Sequence, residues 1–599
     1  MVNRILATAL LTAAFFTAYP ASAAEDAIQR AMRDELARSM KKLQLENLDK
    51  PYFVAYRMVD SSGCAASASF GALIGSGCEP PGTAARNRSM TVEVRVGDYA
   101  RDNTNFSSPM GTAGVSRIAF GGGVAVPIDD NYDEIRRQLW LATDSAYKTA
   151  LDTYAKKKAA LEHRTRPRDD APDFSHEAVV TDTENEPSIA WDKRQVEDIV
   201  KTLSAIFRQT PGVDNSEVRL NATVWHTYYV NSEGSTYTRR KSFVQLETSA
   251  DTQATDGMPL ADFDVVYARS LAELPPREEL ARRVRSLAAR LDGLRKAQLV
   301  DRYTGPVLFE GEASAELFLQ ALGSAMVGTP RTVVDDLRFE GIFRNNSGLS
   351  DKVGARVLPD FLALKDAPAA REFRGMPLYG SYQVDDDGVK AGETALVDKG
   401  ILQTLLHTRA LIPDTTHSTG SRRSTGAMPS NLLFSAEKPM TADQLKAELI
   451  RLAAQRHKEY GVVVRRIGNQ QLLASLGRSR IIMNNTSGGP GSISVQPVLE
   501  AYKVFPDGHE EPVRNLNING LTLEAFRSIV AVSEPSTVYT APVLILNRSP
   551  LTGVSFLQPG GPMVVSTNAP STLFEDITFE RPTGDVPIPP FSGHPYFDR

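Results

Sequence analysis

The chain has 599 residues, of which 42% are apolar and 23% charged, and its formal net charge is −5. Those proportions belong to a folded globular protein with room for more than one domain, and they exclude a disordered or membrane-embedded chain. So small a charge also argues against a protein dedicated to the nucleic-acid backbone, which needs a concentrated positive field.

The N-terminus reads as a targeting segment. Arg4 supplies a positive start, and Ile5 to Tyr19 is an apolar run shorter than the ~20 residues of a membrane span. Ala21-Ser22-Ala23 is a small-residue cleavage site. The expectation is a signal peptide over residues 1–23, an exported, periplasmic mature chain, and no membrane span after cleavage. An uncleaved anchor is the alternative. Cys64 and Cys78 are the two cysteines. In an oxidising compartment they could close a short loop; two free thiols are the other reading.

Ala24 to Leu45 has Ile28, Met32, Leu36 and Met40 at i, i+4 and predicts an amphipathic helix. Ser39 and Lys42 stand at the spacing of some Ser-Lys hydrolases, without a partner motif, so chance is the better account. Tyr52–Tyr56 and Met90–Val96 alternate and predict strands. Pro127 to Leu161 is helical in pattern. The basic run from Lys156-Lys157-Lys158 to Arg168 reads as a solvated, salt-bridged surface. His176-Glu177 makes no zinc-protease spacing. Lys193–Arg208 predicts another helix. Ser216–Val230 and Thr236–Leu246, joined through Asn231-Ser232-Glu233-Gly234, predict a hairpin. His226 on that hairpin reads as a satisfied or exposed strand histidine. Arg277 to Leu299 predicts a long charged helix. Beyond it the composition shifts to β-branched residues, Gly and Pro, and helix returns at Ala442–Tyr460. No internal repeat is found.

Gly311 to Thr329 predicts a helix entered from the apolar run Tyr303–Phe309. Ala313, Leu317, Ala321 and Ala325 form its stripe. Gly323 lies inside it, where Gly is unfavourable by ~1 kcal/mol relative to Ala, so a packing or geometric reason is expected. Four further segments stand out. They are Leu349–Pro368, Val384–Arg409 with Asp385-Asp386-Asp387-Gly388, the loop Ser418-Thr419-Gly420-Ser421-Arg422-Arg423, and Ala569–Phe579. The acidic turn fails as an EF-hand loop, since Val389 holds the fifth ligand position.

Taken in order, these segments resemble the TldD/PmbA family of metallopeptidase-related proteins over most of residues 303 to 580. The resemblance implies an α+β fold in two domains. The first, residues 24–300, is a mixed sheet-and-helix domain; the second, 301–599, is β-rich. In active members the helix carries His-Glu-x-x-x-His. Here that hexad falls on Leu319, Gln320, Ala321, Leu322, Gly323 and Ser324. Both histidines and the glutamate are replaced, by Leu319, Ser324 and Gln320. The family's third ligand, a cysteine in the C-terminal domain, has no match, because no cysteine lies beyond Cys78. A catalytic zinc needs about three protein ligands and a general base for its water. Five residues also advance an ideal helix by ~140° past a full turn, so two such ligands need a helix that opens near the Gly.

The resemblance therefore implies a member without catalytic or metal residues of its own, whose degenerate positions are Leu319, Gln320 and Ser324. It implies no cofactor in this chain and zinc in an active partner. Arg422 and Arg423 become candidates to line a peptide cleft. His407 and His417, ten residues apart across a loop, have no helix-fixed geometry for a replacement site. Three functions follow as expectations. The first is an inactive, TldE-like subunit shaping a chamber for unfolded peptides beside a metal-bearing TldD-like subunit. The second is a non-enzymatic peptide-binding protein, and the third a self-sufficient peptidase with an unrecognised site.

Overall fold

The structure is a computed structural model. It describes residues 26–79, 86–107, 126–162, 171–336, 338, 348–424, 426–473, 492–514, 516–542, 563–582, 590 and 592–598. The expected signal peptide, residues 1–23, and the basic residues Arg164, Arg166 and Arg168 lie outside the described residues.

The architecture is α+β. The first half is a seven-stranded sheet, mostly antiparallel. The strand Pro51–Ser69 pairs with Arg86–Val96 and with Asn215–Asn231, and the latter with Thr236–Gln253. Pro259–Ala268 follows, a strand the sequence pattern had not separated from its neighbours. Because successive strand side chains alternate in direction, residue parity assigns each to a face. Even-numbered residues face the helices. Val54, Tyr56 and Met58 pack under Ala27–Lys42 and Tyr132–Glu162. Leu220, Ala222, Val244 and Leu246 pack under Lys193–Ser204 and Arg277–Leu294. Odd-numbered residues face the second half of the chain, where Phe53, Tyr229 and Tyr237 meet Val384, and Phe263 meets Leu472 and Leu499.

Several helices end sooner than their patterns suggest. The Arg277 helix stops at Leu294, and Gln298–Leu299 already pairs with Val513–Arg514 in the second half. The long helix begins at Tyr132, not Pro127. Lys157, expected on a solvated surface, is 3% exposed; its ammonium donates to Asp173 and to the Thr104 carbonyl. Ser39 is buried and accepts from the Tyr56 phenol while Lys42 is exposed, so the two form no dyad.

The second half has an eight-stranded and a six-stranded sheet. Arg302–Phe309 lies inside the larger sheet, between Thr572–Glu580 and Gly461–Ile467. Leu308 points outward under Ala442–Gln455, a helix begun by a capping box of Thr441 and Gln444. Val307 and Phe309 point inward, into the core shared by both sheets. The helix Gly311–Leu322 is buried in that core, with Phe318 against Phe434 and Phe526 at 4.6 and 5.5 Å between ring centroids. The C-terminal residues return to the first half: Tyr596 stacks on Phe70 at 5.3 Å. Among the described residues no helix is long and apolar enough to cross a membrane.

Candidate functional site: a sealed helix end and the junction beside it

The helix entered from Phe309 ends at Leu322, well short of Thr329. Gly323 follows as its C-cap in ordinary right-handed backbone, φ −53° and ψ −47°. Its amide donates to the Leu319 carbonyl at 3.1 Å. A Cβ at this position would stand 2.4 Å from that same oxygen. Close backbone approach, not an unusual dihedral, is what demands Gly here.

The three positions expected to mark a lost metal site enter three different surroundings. Leu319 is 3% exposed and belongs to the apolar core. Burying a leucine side chain there contributes about 1.5–3 kcal/mol. Ser324 is exposed beyond the helix end. Gln320 is held at both ends of its amide. Its Nε2 donates to Glu316 Oε1 at 2.7 Å and to the Gly468 carbonyl at 2.8 Å, and its Oε1 accepts from the Gln496 amide at 2.8 Å. The residues present do not fit a zinc ion: Leu319 has no donor atom, Ser324 lies exposed beyond the helix end, and Gln320 cannot take a proton from a water.

Glu316 is the residue that sequence reading missed. It is 2% exposed and is met by three donors. Besides Gln320, Asn469 Nδ2 reaches Oε1 at 2.9 Å and the Tyr539 phenol reaches Oε2 at 2.7 Å. Burial pushes its carboxyl above the usual range, and the three hydrogen bonds oppose that rise. Its position one turn before Gln320 was the available signal, since i and i+4 share a helix face; Asn469 and Tyr539 had none. In the first half, burial drives the Tyr267 phenol's pKa well up, and the charges of Glu247 and Glu316 add to the rise. The Tyr267 hydroxyl meets no hydrogen-bond partner among the described residues.

The segments around Asp385 and Arg422 lie at the junction of the two halves. Asp386 is gripped by Arg57 and by Arg239, the latter at 2.6 Å, and these cations hold its carboxyl far below the usual range against the effect of burial. Arg409 donates to Glu233 and to the Ser175 carbonyl. Gly388 has φ +77°, and a Cβ there would meet the Tyr229 ring at 2.6 Å, so the junction closes only over Gly.

Arg422 and Arg423, expected in an open loop, form a short strand paired with Gly426–Ala427. The Arg422 guanidinium is bound to Asp387 and to Glu93 of the first domain, at 2.5 and 3.3 Å. It serves as a clamp between the two halves, its Nε also donating to the Ser424 carbonyl. Arg423 differs. It donates to the carbonyls of Pro429 and Val564 and lines a cavity of about 60 Å³ at the junction with Arg239, Lys241 and Arg269.

The remaining candidates stay apart. Both His407 ring nitrogens meet backbone oxygens, those of Leu405 and His417, at 2.9 Å, while His417 itself is exposed beside Glu177. The His226 Nδ1 lies 2.8 Å from the Tyr228 hydroxyl. Cys64 and Cys78 are joined in a disulfide. Among the described residues no three His, Cys, Asp or Glu side chains converge as a metal site.

Residues 302–581 match the family model described as the PmbA/TldA metallopeptidase C-terminal domain. A metalloprotease of Methanothermobacter thermautotrophicus is 28% identical over 189 residues, 30% of this chain and 36% of that protein. A metalloprotease of Methanocaldococcus jannaschii is 34% identical over 68 residues, 11% of this chain. The chain thus aligns with only 36% and 14% of the length of these relatives. Solved structures share the fold along nearly the whole chain. TldE from Thermococcus kodakarensis has a TM-score of 0.54 at 14% identity, covering 92% of this chain and 99% of its own. A Thermotoga maritima protein described as a candidate modulator of DNA gyrase has a TM-score of 0.57 at 15% identity, covering 92% and 99%.

Proposed function

We propose that this chain, a TldD/PmbA family member whose C-terminal half carries the family's metallopeptidase-type domain, is a subunit without metal chemistry of its own. It shapes a chamber for unfolded peptides beside a metal-bearing, TldD-like subunit, and zinc belongs to that partner. The observation that carries this reading is the occupancy of the helix end. Leu319 is packed into the core, and the Gln320 amide is bonded to Glu316, Gly468 and Gln496. A side chain so committed offers no base for a metal-bound water.

We further propose that the chain works outside the cytoplasm. The apolar N-terminal run with its Ala21-Ser22-Ala23 site supports export, and the Cys64–Cys78 disulfide fits an oxidising compartment.

The test is metal analysis and peptide cleavage with the purified chain, alone and with a TldD-like protein from the same genome. The expected outcome is less than a tenth of a zinc per chain, no cleavage alone, and cleavage that rises at least tenfold over the partner alone when the two are mixed. Stoichiometric zinc with EDTA-sensitive cleavage by the chain alone would overturn the proposal.

A further inference from the structure

Strand parity turns Arg239, Lys241 and Phe243 of one strand toward the second half of the chain. There they line the junction cavity with Arg269 and Arg423, against two lining carboxylates, Glu186 and Asp386. Both carboxylates are already engaged. Asp386 is shared by Arg57 and Arg239. Glu186 accepts from the Ser242 amide and lies 3.8 Å from Arg371.

Three cations are left whose side chains donate only to carbonyl oxygens among the described residues, and Arg269 and Arg423 also lie over the Tyr379 and Tyr382 rings at 5.6 and 5.9 Å. Lys241 donates to the Ser381 carbonyl, Arg269 to those of Arg371 and Leu378 at 3.3 Å, and Arg423 to those of Pro429 and Val564. Carbonyl dipoles do not neutralise a desolvated charge, so cations gathered in a half-buried cavity favour an anion. The titration of two of them agrees. Burial pulls Lys241 down to about 8, opposed by Glu184 and Glu186 while Arg239 and Arg423 add to the fall, and burial also lowers Arg423 against the opposing influence of Tyr382, Asp366 and Asp386.

Beside the cations stands an aromatic wall. Phe243 and Tyr379 lie 6.1 Å apart, and each contacts Tyr267, at 5.4 and 5.8 Å.

We propose that this cavity is a binding site for the terminal α-carboxylate of a peptide, with Lys241, Arg269 and Arg423 as its charge partners and the wall of Phe243 and Tyr379 receiving the last side chain. The assignment rests on the peptide-chamber reading above. Guanidinium groups match the planar carboxylate, and the rest of the peptide runs outward from the cavity.

The experiment titrates the full-length mature chain with two unstructured fluorescent peptides that both end in leucine, one a free acid and the other its C-terminal amide. The free acid is expected to bind at least tenfold more tightly. Arg269→Gln, at a half-exposed position, is expected to weaken the acid by three- to tenfold and leave the amide unchanged. Lys241→Met removes a second partner, and Lys241→Arg restores the preference. Equal binding of acid and amide overturns the site while leaving the peptide-chamber reading standing. If neither peptide binds, melting in acetate, phosphate or chloride at equal ionic strength decides the anion site. Acetate stabilising the native chain but not Arg269→Gln upholds a carboxylate site. No anion effect, or a shift in phosphate far above that in acetate, overturns it.

Discussion

Gln320 Nε2 donates to Glu316 Oε1 at 2.7 Å across one turn of the helix Gly311–Leu322. This bond makes the helix end self-sufficient. A glutamate at position 320, the residue of an active metal site, would bring a second carboxylate against Glu316 with no cation beside it. Gln320→Glu is therefore expected to destabilise the fold by roughly 3–5 kcal/mol at neutral pH, the scale of an uncompensated buried charge. Urea unfolding at pH 7.5 and pH 5 measures it. The loss should shrink at pH 5, where the new carboxyl can hold a proton and donate. An unchanged midpoint at both pH values would show that the amide is not structural.

Glu247 gives a pH dependence whose sign can be worked out. Burial raises its carboxyl from an ordinary 4.5 to about 7. The folded state then binds the proton more tightly than the unfolded state, so the contribution is full below pH 4.5 and is lost as pH rises through 7. Glu247→Gln removes that loss. The Tm difference between Glu247→Gln and the native chain should favour the variant increasingly from pH 5 to pH 8. A difference independent of pH would refute the assignment.

The Cys64–Cys78 disulfide closes a loop of sequence separation 14 at the edge of the first sheet. A closed loop of that length contributes about 3 kcal/mol by restricting the unfolded chain. Replacing both cysteines by serine, or adding reductant to the native chain, should lower the unfolding free energy by about that amount. Loss under reductant in the native chain but not in the double variant identifies the bond as the cause.

Asp386 joins Arg57 and Arg239 of the first domain to the acidic turn of the second. Asp386→Ala leaves two buried guanidinium groups without their carboxylate, at a cost of roughly 3–5 kcal/mol. The effect should be local to the junction. Limited proteolysis is expected to separate the halves near residues 295–301 in the variant under conditions where the native chain stays whole. Equal resistance would mean that the remaining contacts, Arg409–Glu233 and Arg422–Glu93 among them, hold the junction without Asp386.

Much of the frame was legible in advance because it is periodic. The helix beginning near Ala27, the hairpin about Asn231–Gly234 and the helix at Ala442 all follow from local spacing and caps. The helix at Gly311 was legible in kind but not in length. Its end is set by Gly323, whose role depends on the Leu319 carbonyl lying too close for a Cβ. Arg422 reads in sequence as one of a pair of loop arginines. Its commitment to Glu93 depends on a residue more than three hundred positions away, which no local pattern encodes.

By itself, then, the sequence determined that Leu319 offers no donor atom and Gln320 no carboxylate to take a proton, because ligation and proton transfer depend on atom type. Only the tertiary structure decided what surrounds these residues. Glu316, Asn469 and Tyr539 meet because strands and a helix distant in sequence pack into one core. Lys241, Arg269 and Arg423 share a cavity because strand parity and the domain junction bring them to one face. Burial then gives these polar groups their weight, since a charge or hydrogen bond removed from water must find its partner within the protein.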